Sequence, residues 1–176
     1  TPSDFLERAG ATFPEKTAII HGDLRRSYGD FLNRSRRLAD ALRKRGIGEG
    51  DAVSVLAPNT PAMLESHYGI PMAGAVLNAI NTRLDAETIA FILGHADSKL
   101  ILVDKEFAPV MEQALERIDN PPPVIWIDDP LAEGGKPLGE KEYEDLLAEG
   151  NPAPDWPRPT DEWQSMSLNY TSGTTG

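Results

Sequence analysis

Four apolar runs, beginning at Val53, Val76, Leu100 and Val124, recur about 24 residues apart. Segments with apolar residues at helical spacing fill the intervals. This alternation constrains the chain more than any other feature. Strands joined by helices need long crossovers, so they lie parallel, and the crossovers are right-handed. The runs share a spacing but no common motif, which argues against a solenoid. The expected fold class is therefore α/β, a layered, mainly parallel sheet flanked by helices.

The connecting helices have readable signals. Thr60-Pro61 opens the first, with Leu64, His67, Tyr68 and Met72 expected on its buried side. Asp85 caps the second, whose stripe is Ile89, Ile92, Leu93 and Ala96. Phe107, Val110, Met111, Ala114, Leu115 and Ile118 form the third stripe. Burying such side chains, at about 1.5–3 kcal/mol each, is ample for a core.

Before the first run, Thr1 caps a helix that starts at Pro2, Asp4 sits at the capping-box position, and Pro14 stops it. Phe5, Leu6, Ala9 and Phe13 share one face of that helix. Thr17 to His21 and Leu24 to Tyr28 read as strands around a Gly22-Asp23 turn. Gly29 to Arg45 reads as a helix buried through Phe31, Leu38, Ala39, Ala41 and Leu42. Its six cations, Arg34, Arg36, Arg37, Arg43, Lys44 and Arg45, are expected to form a solvated face, the alternative being a docking patch for an anionic carrier or membrane. After Val124–Ile127 come a loop, Asp128 to Gly139, and a short helix, Glu140 to Glu149, with Tyr143, Leu146 and Leu147 inward. Asn151 to Pro159 carries four prolines, the composition of an extended connector. The expected division is a first unit over residues 1–159 and the start of a second over 160–176.

Net charge is −11, so the average field repels nucleic acid. With no cysteine there is no disulfide framework and no thiolate site. No apolar run approaches the ~20 residues of a membrane span, and no signal-peptide pattern is present, so a cytoplasmic location is expected.

Most chemically capable residues have a plain structural reading. His67 is expected to be a packed histidine with one satisfied nitrogen, the alternative being a wall of an acyl or carrier pocket. His21 and His95 are expected to be structural. Asp128-Asp129 reads as a solvated acidic loop. Asn78 to Leu84 is a polar break at a strand's carboxyl end, where α/β sheets bind ligands. Neither H-E-x-x-H nor G-x-S-x-G occurs, so Ser172 is not a nucleophile elbow.

The last stretch differs. Met166, Leu168 and Tyr170 alternate with polar residues as a strand does. They run into Thr171-Ser172-Gly173-Thr174-Thr175-Gly176, all hydroxyls and glycines. Glycines let successive N–H groups converge on an anion, and Ser and Thr add hydroxyl donors. At roughly 1.5–3 kcal/mol per bond to a charged oxygen, several donors hold a polyphosphate without a lysine. The stretch is not a Walker A motif, which requires Gly-Lys.

Tyr170 to Gly176 resembles the phosphate-loop signature of the adenylate-forming (AMP-binding) enzymes, the acyl-CoA synthetases among them. Arg26-Ser27-Tyr28-Gly29-Asp30, Gly50 to Val53, Leu56 to Asn59, Pro71 to Leu84 and His95 to Asp104 are also similar to that family, most of all to plant acyl-activating enzymes and bacterial methylmercaptopropionate-CoA ligases. The resemblance implies a large N-terminal α/β domain followed by a mobile C-terminal lid. It implies that Thr171 takes the Mg²⁺-side role and that Ser172, Gly173, Thr174, Thr175 and Gly176 wrap the β- and γ-phosphates of ATP. It implies a ligase joining a fatty, short- or medium-chain carboxylic acid to coenzyme A through acyl-AMP, and a homodimer is compatible with it. The family's later Glu, ribose-binding Asp and lid Lys are not in these residues, so the chain reads as the first third of such an enzyme, with no catalytic residue of its own. The rival reading is a catalytically silent interaction domain that keeps the fold.

Overall fold

The computed structural model describes residues 2–153 and 161–171. The Thr1 cap, most of the proline-rich connector and residues 172–176 lie outside the described residues.

Helix α1 (Pro2–Thr12) precedes an antiparallel hairpin, β1 (Thr17–His21) and β2 (Leu24–Ser27), which turns through Gly22 at φ +56°. Helix α2 (Tyr28–Lys44) follows, and a reciprocal Ser27–Asp30 capping box fixes its start. The βα units are β3 (Ala52–Leu56), α3 (Pro61–Met72), β4 (Val76–Ala79), α4 (Ala86–His95), β5 (Ser98–Asp104), α5 (Ala108–Leu115) and β6 (Val124–Ile127). Thr60 and Asp85 cap α3 and α4 as expected. The chain closes with β7 (Lys141–Glu142), α6 (Tyr143–Glu149) and β8 (Ser167–Leu168).

Six strands form one sheet in the order β7-β6-β5-β3-β4-β8, and every neighbouring pair is parallel. Alternate residues feed two cores. Val53, Val55, Leu100, Leu102 and Ile125 join Leu38, Leu42 and Ile70 on one face. Leu56, Ile101 and Val103 join Ile89, Ile92, Leu93 and Met111 on the other. A sheet buried on both faces requires the near-continuous apolar strands that the sequence carries.

Several expectations are corrected. In α1, Leu6 is buried as expected, but Phe5 is 74% exposed, Phe13, just past the helix end, is 54% exposed, and the other buried position is Gly10. That helix meets its neighbour along a narrow strip, where a Cβ at Gly10 would stand 2.7 Å from Leu32. In α3 the stripe is mostly misplaced: Met72 is buried as expected, but Leu64 and His67 are exposed and Tyr68 half-buried, while Ala62, Met63, Glu65, Ser66, Gly69 and Ile70 are buried. The turned-in face contains a glutamate, which an apolar-periodicity argument discards. The segment from Glu140 is not wholly helical, since Lys141–Glu142 pairs with β6 first.

The basic face of α2 is solvated only in part: Arg43 and Lys44 are exposed, Arg36 pairs with Glu7 of α1, and the rest is covered. It is the seam on which α6 sits. Arg34 pairs with Glu65 and Glu144, Arg45 with Glu140 and Glu149, and Arg37 and Lys44 donate to the Gly150 and Glu149 carbonyls.

Candidate phosphate-loop root at the β8 edge

Strand β8 is short. Its ladder to β4 consists of Leu77↔Ser167 and Asn78↔Leu168, with the Leu77 N–H also donating to the Met166 carbonyl at 3.0 Å. Parallel pairing points its carboxyl end the same way as those of β3 to β6, the end at which such sheets bind ligands. From Gln164 to Thr171 the alternate residues Gln164, Met166, Leu168 and Tyr170 are half-buried and the rest exposed, as the period-2 pattern predicts.

The two sides of β8 differ. Tyr170 packs on the α4–α5 core, and its hydroxyl shares a 2.7 Å hydrogen bond with His95 Nδ1. Met166 and Ser167 help line a cavity of about 590 Å³ with Ile19, Thr60, His67 and Tyr68. His67 is exposed rather than packed, with one nitrogen satisfied as expected: its Nδ1 contacts the Met63 carbonyl at 2.8 Å, and the residue borders this cavity. Thr171 follows Tyr170 and is exposed. Ser172, Gly173, Thr174, Thr175 and Gly176 lie outside the described residues.

Asn78, the first residue of the expected polar break, lies inside β4 and is fully buried. Its Nδ2 donates to Ser54 Oγ at 2.8 Å, and Ser54 Oγ lies 2.6 Å from Ser98 Oγ, so a buried polar chain crosses three strands. Asn81 accepts from the Arg83 N–H and closes its own turn. Asp128 is exposed as expected and pairs with Lys105, whereas Asp129 is structural rather than solvated: only 7% exposed, it meets His21 Nε2 at 2.8 Å. Among the described residues no group of three acids or histidines is placed to hold a metal.

Sequence reasoning missed two buried acids. Glu65 has no exposure and binds Arg34 and Tyr143. Asp104 ends β5; its Oδ1 accepts the Glu106 N–H, and its buried Oδ2 has no partner among the described residues. Burial pushes the Asp104 carboxyl up, and the Asp129 and Glu106 charges add to the effect. The one available signal was an acid directly after the apolar run Leu100–Val103.

Residues 6–176 match the model of the family described as AMP-binding enzyme. The chain belongs to the AMP-binding enzyme family. Its relatives include the peroxisomal acetate/butyrate–CoA ligase of Arabidopsis thaliana, 44% identical over 187 residues, covering 99% of this chain and 33% of the relative. The acetate–CoA ligase of Humulus lupulus is likewise 44% identical, with the same coverage. Among solved structures, an anthranilate CoA ligase in complex with anthranoyl-AMP superposes with a TM-score of 0.84 at 26% identity, over 99% of this chain and 32% of that one. A benzoate CoA ligase from Burkholderia xenovorans gives 0.74 at 26% identity, over 86% and 29%. This AMP-binding enzyme chain spans about a third of the length of the curated relatives it matches. No helix among the described residues is long and apolar enough to cross a membrane.

Proposed function

We propose that the protein containing this chain activates a carboxylic acid with ATP, forming acyl-AMP and pyrophosphate, and then transfers the acyl group to coenzyme A. The observation that carries this reading is the Thr171–Gly176 signature, launched from an edge strand of a parallel sheet in a chain of the AMP-binding enzyme family. The relatives named above are CoA ligases, which supports the reaction class.

In this reading the backbone N–H groups and hydroxyls of residues 171–176 hold the β- and γ-phosphates, so that charge leaving with pyrophosphate meets preset donors. Thr171 is read as lending its hydroxyl to a phosphate-bound Mg²⁺, an ion that takes few protein oxygens. When bound, Mg²⁺ neutralises charge on the leaving phosphates. Residues 172–176 supply donors and no proton-transfer group. Residues 160–176 are read as opening a second unit whose first strand borders the sheet of the first. The acid is read as a fatty, short- or medium-chain one, and the location as cytoplasmic, although several of the relatives carry "peroxisomal" in their names.

The test is carboxylate-dependent ATP–pyrophosphate exchange by the full-length protein, across short, medium and long acids. Exchange that falls at least about tenfold in Thr171→Ala is the expected result. Absence of exchange with every acid removes the reading and favours a silent domain that keeps the fold.

A further inference from the structure

Phe91, His95 and Tyr170 form a three-ring stack on α4. The His95 ring lies 5.5 Å from Phe91 at an interplanar angle of 19°, and 5.7 Å from Tyr170, edge to face at 77°. His95 Nδ1 and the Tyr170 hydroxyl are 2.7 Å apart, joining residues 75 positions apart in the chain. Phe91 is 63% exposed, with one ring face against the imidazole. Here it backs the imidazole and holds it in plane for Tyr170. Burial raises the Tyr170 phenol, so its hydroxyl keeps its proton at neutral pH and either histidine tautomer completes the bond.

The position of this bond gives it significance. The last β8 ladder pair is Asn78↔Leu168, and Tyr170 stands two residues beyond it and one before Thr171. We propose that His95 is a positioning residue for the phosphate site of the proposed function: through Tyr170 it holds the backbone at Thr171. This rests on the reading that the loop holds ATP phosphates. A Thr171 already held in place loses less conformational entropy when it meets its ligand, so the anchor is worth affinity for ATP without touching it.

The experiment uses the full-length protein with an acid it activates. ATP–pyrophosphate exchange gives kcat and KM for ATP in Tyr170→Phe, His95→Ala, the double variant and His95→Gln, and thermal midpoints are recorded beside them. Each single variant is expected to raise KM for ATP about three- to tenfold while kcat changes much less. The double variant should match either single one, because both remove the same bond. His95→Gln, whose amide still reaches the phenol, should recover part of the loss. Unchanged KM with a lowered thermal midpoint would show that the stack is packing only and overturn the proposal, as would single effects that simply multiply. A wild-type protein that exchanges with no acid fails the underlying reading and takes this inference with it, an outcome distinct from an active wild type with indifferent variants.

Discussion

Arg34 Nε donates to Glu65 Oε1 across 2.7 Å, and Glu65 has no exposure to solvent. The other carboxylate oxygen accepts from the Tyr143 hydroxyl at 3.0 Å, and Arg26 approaches at 3.8 Å. Burial alone would lower the Arg34 guanidinium, but its hydrogen bond to Glu144 and the Glu65 charge outweigh that and raise it. One buried carboxylate thus ties together α2, α3 and α6.

Removing one partner leaves an uncompensated buried charge. Arg34→Ala is expected to destabilise by about 3–5 kcal/mol. Replacing the polar set together, Arg34→Met with Glu65→Leu and Tyr143→Phe, should recover most of the loss. Urea unfolding of the protein measures both, and a triple variant no better than Arg34→Ala would refute the argument.

The outer half of the same cluster responds to acid. Burial tends to raise the Glu144 carboxyl, but the Arg34 hydrogen bond and the Arg34 and Arg26 charges win and lower it. Its contribution is therefore present above the ordinary glutamate value and lost as pH falls through the lowered one. Glu144 is 55% exposed, so solvent screens the pair and salt should weaken it. Hydrogen exchange of residues 141–150 should accelerate in that acid range, and Glu144→Gln should abolish the transition.

Asp104 has the opposite sign. Its raised carboxyl favours the fold below the ordinary aspartate value, and that benefit is lost as pH rises through the raised one. Asp104→Asn keeps the acceptor for the Glu106 N–H and replaces the unpartnered oxygen with a neutral donor. The variant should be more stable at neutral pH by about 1–3 kcal/mol, a rise of several degrees in Tm. The advantage should shrink as pH falls below the raised value. Calorimetric scans at three pH values decide it.

Gly69 sets the distance between α2 and α3. A Cβ there would stand 2.8 Å from the Ser35 carbonyl and 2.8 Å from Leu38 Cδ2. Because one neighbour is backbone, the helices must part. Gly69→Ala should cost about 1–3 kcal/mol despite its better helix propensity. An unchanged denaturation midpoint would count against this packing.

What was legible in the sequence follows from what periodicity can carry. The runs at Val53, Val76, Leu100 and Val124 became β3, β4, β5 and β6 because a sheet buried on both faces needs unbroken apolar stretches. The α3 stripe was mostly misplaced because Glu65 is buried by pairing, and the partner lies 31 residues away on another helix. The covered part of the Arg34–Arg45 face was misread for the same reason: its anions sit on α6, about a hundred residues later. The phosphate-loop signature was legible as a string, whereas its anchor on His95 was not, since a hydrogen bond between distant side chains leaves no local spacing.

The two-pair ladder between β4 and β8 also bears on the order of folding. Leu77 must wait for Ser167, so the edge strand closes across a long stretch of chain for very little backbone reward. The sheet from β7 to β4 needs nothing from it, because all those pairings are complete by Glu142. Strand β8 is thus the last to dock and the first to fray, and the His95–Tyr170 bond is a side-chain clasp where the backbone ladder offers little.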